Sequence, residues 1–159
     1  MHPVCRYVTS HWGTPKTIFE QYVLHDFVDV TPFDHEKTGF DAFTCEWSKD
    51  KVNYLNPPYS ELARKWAPLI DRKAREGYPI ILLMPTRNSS KYWNEKILPH
   101  CKEICLVPHR VHFIDLKLQS KKPSAAPFSV MFCYINCRSG LEKQPIDLVL
   151  PPALPWGDI

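Results

Sequence analysis

The sequence predicts an α/β sandwich with a mostly parallel sheet, on three observations. Residues 78–85, YPIILLMP, form a continuous apolar run of the length and kind found in fully buried parallel strands. Residues 60–77, SELARKWAPLIDRKAREG, precede it with apolar side chains at helical spacing. Strand-like and helix-like stretches alternate along the rest of the chain, as the α/β class requires.

In order, TPKTIFEQYVLH offers Thr14 as an N-cap and Pro15 at the first helical position, with Ile18, Phe19, Tyr22 and Val23 on one face. DFVDV (26–30) reads as a short buried strand, residues 31–50 as a polar connection, and KVNYL (51–55) as a second strand. The helix over 60–77 has Ser60 as N-cap, Glu61 in its first turn and Gly77 at its end, and Pro68 should kink or interrupt it. After YPIILLMP comes a helix from about 90 to 98 stopped by Pro99, then a strand EICLV (103–107) and an extended piece RVHFI (110–114). A polar loop leads to the apolar strand FSVMFCYIN (128–136). The expected organisation is one domain over 1–137 and an irregular, Pro-rich tail over 138–159.

With 159 residues the chain can bury a real core, and 44% hydrophobic with 23% charged residues excludes a disordered protein. The net charge of +3 permits a polyanionic partner without requiring one. No apolar run approaches the roughly 20 residues that span a bilayer, and MHPVCRYVTSHW lacks the apolar core of a signal peptide. A soluble intracellular protein with no membrane association is expected. The six cysteines do not fall in paired metal-ligand spacings, and Cys105 and Cys133 lie in strand-like runs, so buried reduced thiols and no metal are expected.

The stretch LNPPYS (55–60) carries the chemistry. Two consecutive prolines fix two φ angles and donate no backbone hydrogen bond. They make a rigid corner where a strand ends and a helix begins, and in α/β sheets ligands bind at the carboxyl ends of strands. A planar aromatic amine is a poor nucleophile because its lone pair is delocalised. The Asn56 side-chain oxygen and the Pro57 carbonyl, fixed by Pro57 and Pro58, can accept its two N–H groups and localise that pair. Tyr59 offers a face on which a base can stack. The work is orientation and electrostatics against a positively charged methyl donor. The competing reading is a proline-stiffened strand-to-helix turn.

From these blocks the chain resembles the phage-type (Dam-like) DNA adenine-N6 methyltransferases, small S-adenosylmethionine-dependent enzymes, over about residues 11–136. HWGTPKTIFE is similar to the family's opening Trp-x-Thr-Pro block, and FVDV resembles its first strand. DAF, NPPYS and KW match its middle, LLMPTRNSSKYW its strand and Pro-x-Arg turn, and PHRVHF and AAPFSVMFCYI its closing blocks. The resemblance implies a Rossmann-like class I methyltransferase sandwich with an antiparallel closing strand, base flipping, a DNA substrate and a virus-encoded origin. It assigns Asn56, Pro57, Pro58 and Tyr59 to catalysis. Asp41, 15 residues before Asn56, would accept the cofactor's adenine amine, with Phe43 against the adenine. Asp29 would lie near the cofactor's methionine amino group. Thr14 and Pro15 would contribute to the pocket, and Asp34 or Glu36 would hold the ribose.

Two departures stand out. DVTPFDHE has no glycine before Gly39, where a glycine-rich cofactor loop is usual, and PHRVHF has Pro108-His109 where a glycine is expected before the arginine. Arg87 and Arg110 are candidate phosphate contacts, Phe113 or His112 a cover for the far face of a flipped base, and Lys117, Lys121 and Lys122 candidate backbone contacts. Each of these is also compatible with ordinary packing or a solvated face. So small a core leaves sequence specificity to the 115–127 loop, the N-terminus, a homodimer or a partner subunit. Three alternatives remain beside DNA: an RNA adenine methyltransferase, a degenerate scaffold binding nucleic acid or protein, and a protein-glutamine methyltransferase. The last of these is disfavoured by the missing glycine-rich loop.

Overall fold

The computed structural model describes residues 12–13, 16–31, 41–86, 89–108, 112–115, 124–125, 129–141 and 146–147. Strand β1 is Trp12–Gly13 and helix α1 is Lys16–Tyr22. They are followed by β2 (Phe27–Asp29), β3 (Val52–Leu55) and, after a helical segment, β4 (Ile80–Pro85). Next come β5 (Cys101–Leu106), β6 (His112–Asp115), β7 (Ser124–Ala125), β8 (Val130–Ile135) and β9 (Ile146–Asp147).

Six of these strands form one mixed sheet in the order β2-β3-β4-β8-β5-β9. β2, β3 and β4 are parallel, and β8 runs antiparallel to both β4 and β5. The antiparallel strand is present as expected, and it lies inside the sheet between β4 and β5. Every residue of β4 and of β8 is buried, which is why both read as unbroken apolar runs rather than as alternating ones.

Side chains alternate across this sheet into two cores. One gathers Val52, Tyr54, Ile81, Leu83, Phe132 and Tyr134 with Ile18, Phe19 and Val23 from the α1 side. The other gathers Leu55, Leu82, Met84 and Cys133 with Trp66, Ala67, Ile70 and Ala74. Helix α2 (Ala67–Arg75) supplies the last three, which recur at helical spacing. Asp71 of α2 hydrogen-bonds His100 at 2.6 Å and Arg75 at 3.1 Å. Burial opposes the charge on Asp71, but these two partners outweigh it and hold its carboxyl below the usual range.

The helical segment before β4 departs from expectation. Ser60 does not cap it: the chain enters through a 3-10 turn over Tyr59–Glu61, preceded by Pro58. A π-helical turn over Leu62–Trp66 follows, closed by Ala67 N–H donating to the Leu62 carbonyl. Pro68 then occupies the second position of α2, where a missing N–H costs little, so the expected interruption takes the form of a widened turn ahead of the proline. The same device recurs at Trp93–Ile97, where Leu98 N–H donates to the Trp93 carbonyl and Pro99 sits in the 3-10 turn Leu98–His100. The helix thus gives way at Leu98, close to where Pro99 was expected to stop it, and β5 starts at once at Cys101 rather than at Glu103. Gly77 ends α2 with φ +87°, as its position predicted.

Elsewhere β6 overlaps the expected extended piece at 112–114, residues 110–111 lying outside the described ones, and pairs with β1 and β7 in a three-stranded sheet. The tail is not wholly irregular, since Ile146–Asp147 pair antiparallel with β5. Glu103, buried on β5, accepts from Ser139 Oγ at 2.8 Å and from Arg138 at 3.4 Å, fixing the chain just past β8. Cys133 is buried and burial pushes its thiol well up, whereas Cys105 is only half-buried. All five cysteines among the described residues are free. Among the described residues no helix is long and apolar enough to cross a membrane.

Candidate active site

β2 and β3 are parallel neighbours, so their carboxyl ends lie side by side. β2 ends at Asp29, and Asn56 directly follows the end of β3. Two residues that the sequence assigned to different tasks are thereby joined through Thr31. The Thr31 hydroxyl donates to Asp29 Oδ1 at 3.1 Å and accepts the Asn56 N–H at 3.0 Å. The Thr31 backbone N–H also donates to Asp29 Oδ1, at 2.9 Å. Asp29, Thr31 and Asn56 are all buried, at 2%, 1% and 6% exposure, so each polar contact is made in a low-dielectric setting where losing it is costly.

The corner itself follows from its prolines. Pro58 has φ −56° and ψ 122°, the extended conformation a proline ring permits, and its carbonyl accepts the Glu61 N–H at 3.0 Å as the chain turns into the 3-10 helix. Pro57 is buried, and Tyr59 is half-buried with its hydroxyl inside the protein. Burial drives the Tyr59 phenol far above its ordinary pKa, so it stays a neutral group and is no proton acceptor near neutral pH.

The DAF stretch is built as a capped turn. Asp41 Oδ1 accepts the Phe43 N–H at 2.9 Å, and the Asp41 carbonyl accepts from Cys45 N–H at 2.7 Å. Ala42 is buried and its carbonyl takes the Trp47 indole N–H at 2.9 Å, while Asp41 itself is exposed. Phe43 is half-buried, its ring centroid 4.9 Å from that of Trp66. Ala42 and Phe43 belong to the core cluster that also holds Val30, Leu55 and Trp66, which sets the turn on that face of the sheet. Trp47, Trp66 and Trp93 are all buried.

Nine expected site residues, Thr14, Pro15, Asp34, Glu36, Arg87, Arg110, Lys117, Lys121 and Lys122, lie outside the described residues. Phe113 and His112 fall on β6. Thr31 is the site residue that sequence reasoning missed. Its only signal is a hydroxyl two positions after a strand-ending carboxylate, a spacing at which side chain and backbone hydrogen-bond locally.

A family model described as DNA N-6-adenine-methyltransferase (Dam) matches residues 5–144. No curated protein and no solved structure matches the chain.

Proposed function

We propose, from the premise that this chain belongs to the DNA N-6-adenine-methyltransferase (Dam) family, that it uses S-adenosylmethionine to methylate the exocyclic amine of adenine in DNA. The observation that carries this reading is the hydrogen-bonded junction of Asp29 and Asn56 through Thr31. It sets a buried carboxylate suited to an ammonium group beside an amide suited to an aromatic amine. The cofactor, when bound, supplies a methyl group on a positively charged sulfur.

Each residue then has a task. Asn56 Oδ1 and the Pro57 carbonyl accept the two N–H groups of the adenine amine and localise its lone pair for attack, a preorganised electrostatic device. The Tyr59 ring stacks on the flipped base. Asp29 holds the cofactor's amino group and Asp41 its adenine amine, with Phe43 alongside and Thr14, Pro15 and Asp34 completing the pocket. The residues fit that group: a buried carboxylate ends β2, and an exposed carboxylate heads the Asp41 turn above the same core. Arg87, Arg110, Phe113, Lys117, Lys121 and Lys122 make the DNA contacts, and a second subunit or partner chain adds sequence specificity. Residues 1–137 form a Rossmann-like class I domain, onto which Ile146–Asp147 add a short strand; the antiparallel β8 between β4 and β5 supports that architecture. A virus-encoded, intracellular enzyme is in keeping with this reading.

Asp41→Ala is expected to weaken S-adenosylmethionine binding by about 1–3 kcal/mol, the range for a lost hydrogen bond to a charged group. Calorimetry reads it directly, and unchanged affinity would reduce Asp41 to a cap for the Phe43 N–H. Tyr59→Ala should weaken adenine binding by roughly 1–3 kcal/mol, while Tyr59→Phe recovers much of it because stacking needs the ring. Equilibrium binding of an adenine-containing oligonucleotide separates the two. A phenylalanine variant as impaired as the alanine one would give the buried phenol a role in the chemistry.

The deciding experiment transfers labelled methyl from S-adenosylmethionine to double-stranded DNA, single-stranded DNA and RNA, with nucleoside analysis of each. N6-methyladenine in DNA is the expected product. Transfer to RNA alone would change the substrate. No transfer and no cofactor binding would favour the scaffold reading, to which the glycine-free stretch DVTPFDHE already lends weight.

A further inference from the structure

We infer that Thr31 is a positioning residue for methyl transfer, its hydroxyl fixing the backbone of Asn56, from which the catalytic side chain projects, relative to the cofactor-side carboxylate of Asp29. The inference rests on the reading of Asn56 as the group that holds the substrate amine, and goes beyond it by naming what holds Asn56.

Val30 N–H donates to the Tyr54 carbonyl at 3.0 Å. In a regular parallel ladder the next bond would run from Asn56 N–H back to the Val30 carbonyl. Instead Asn56 N–H goes to Thr31 Oγ1 at 3.0 Å. A side chain thus takes over from the ladder at the point where the chain must leave the sheet and enter the Asn-Pro-Pro corner. Neither Pro57 nor Pro58 has an N–H, so the Asn56 N–H is the last backbone donor before the corner by which the sheet can hold it. The same hydroxyl donates its proton to Asp29 Oδ1, so one oxygen sets two positions at once. Thr31 is 1% exposed, and water does not compete for either bond.

A buried threonine that merely fills space would tolerate valine, which keeps the shape and removes the hydroxyl. The test therefore compares Thr31→Val, Thr31→Ala and Thr31→Ser in the full chain. It measures the single-turnover rate of transfer to adenine, cofactor affinity by calorimetry, and hydrogen exchange at the Asn56 amide. Valine and alanine should slow the single-turnover rate by about ten- to a hundredfold, the size of effect expected for a lost buried hydrogen bond. They should lower cofactor affinity far less than the rate, because the Thr31 N–H still donates to Asp29, and accelerate exchange at the Asn56 backbone N–H. Serine should restore most of the rate and the protection. The alanine variant serves where valine does not fold. An active wild type with an unaffected valine or alanine variant, or a serine variant as slow as valine, overturns the inference alone. A wild type that transfers nothing to adenine overturns the reading of the site and the inference with it.

Discussion

Replacing Asn56 by alanine should slow methyl transfer by about a hundred- to a thousandfold, equivalent to roughly 2.7–4 kcal/mol of barrier, as for the loss of one preorganised oxyanion-hole donor. Cofactor affinity should be nearly untouched. The reason lies in how the residue is held. Its backbone N–H, not its side chain, makes the bond to Thr31, so alanine keeps the junction with Asp29 while removing the side-chain oxygen proposed to accept from the substrate amine. Asn56→Asp retains an acceptor oxygen but buries a charge near the Asp29 carboxylate, and its rate should fall between the two. Single-turnover rates with calorimetry on the same preparations give both quantities. A fully active alanine variant would return the Asn-Pro-Pro-Tyr stretch to the status of a stiff turn, and the proposed mechanism would go with it.

How much of this was legible beforehand depended on whether the determining contacts are local. β4 was legible because all six of its residues are buried, so its apolarity is unbroken in the sequence. The corner was legible because two prolines dictate their own backbone whatever surrounds them. The Asp41 turn was visible as a motif, but its basis, a carboxylate capping the Phe43 N–H, was not. The position of β8 between β4 and β5 is a matter of pairing between residues some fifty positions apart in sequence (Leu82 faces Cys133), and no local pattern encodes it. β1, β7 and β9 are two-residue strands whose extended form comes from their partners, so they left no periodic trace. That Pro68 and Pro99 disturb the helices around them was legible, but the form of the disturbance, a π-helical turn just upstream of each, was not, because it depends on which carbonyls the packed chain leaves to be satisfied. Thr31 was hidden for a different reason, since its two partners are brought together only when β2 and β3 pair.

The largest effect on stability is expected at Phe132. This residue is fully buried at the middle of β8, facing Leu83 on one side and Cys105 on the other. Its ring stacks on Tyr22 with centroids 4.9 Å apart, and the adjacent Tyr134 hydroxyl donates to the Tyr22 carbonyl at 2.7 Å, tying the end of α1 to the same strand. Phe132→Ala should therefore cost about 3–5 kcal/mol, the transfer free energy of the ring together with a cavity that central, doubly paired strands cannot close. That corresponds to a fall in melting temperature of about 10 °C. Leu106→Ala, one strand away but 48% exposed, is the control and should cost under about 1 kcal/mol. The two cores make the prediction sharper. Phe132 belongs to the α1 face, whereas Val30, Ala42, Leu55 and Trp66, which underlie the candidate site, belong to the other. Well below its melting point the variant should still bind cofactor and transfer methyl at close to the wild-type rate. A variant that melts normally would mean that α1 collapses into the space. A variant that melts early and is also inactive in the cold would mean that the two faces of the sheet are coupled through β8.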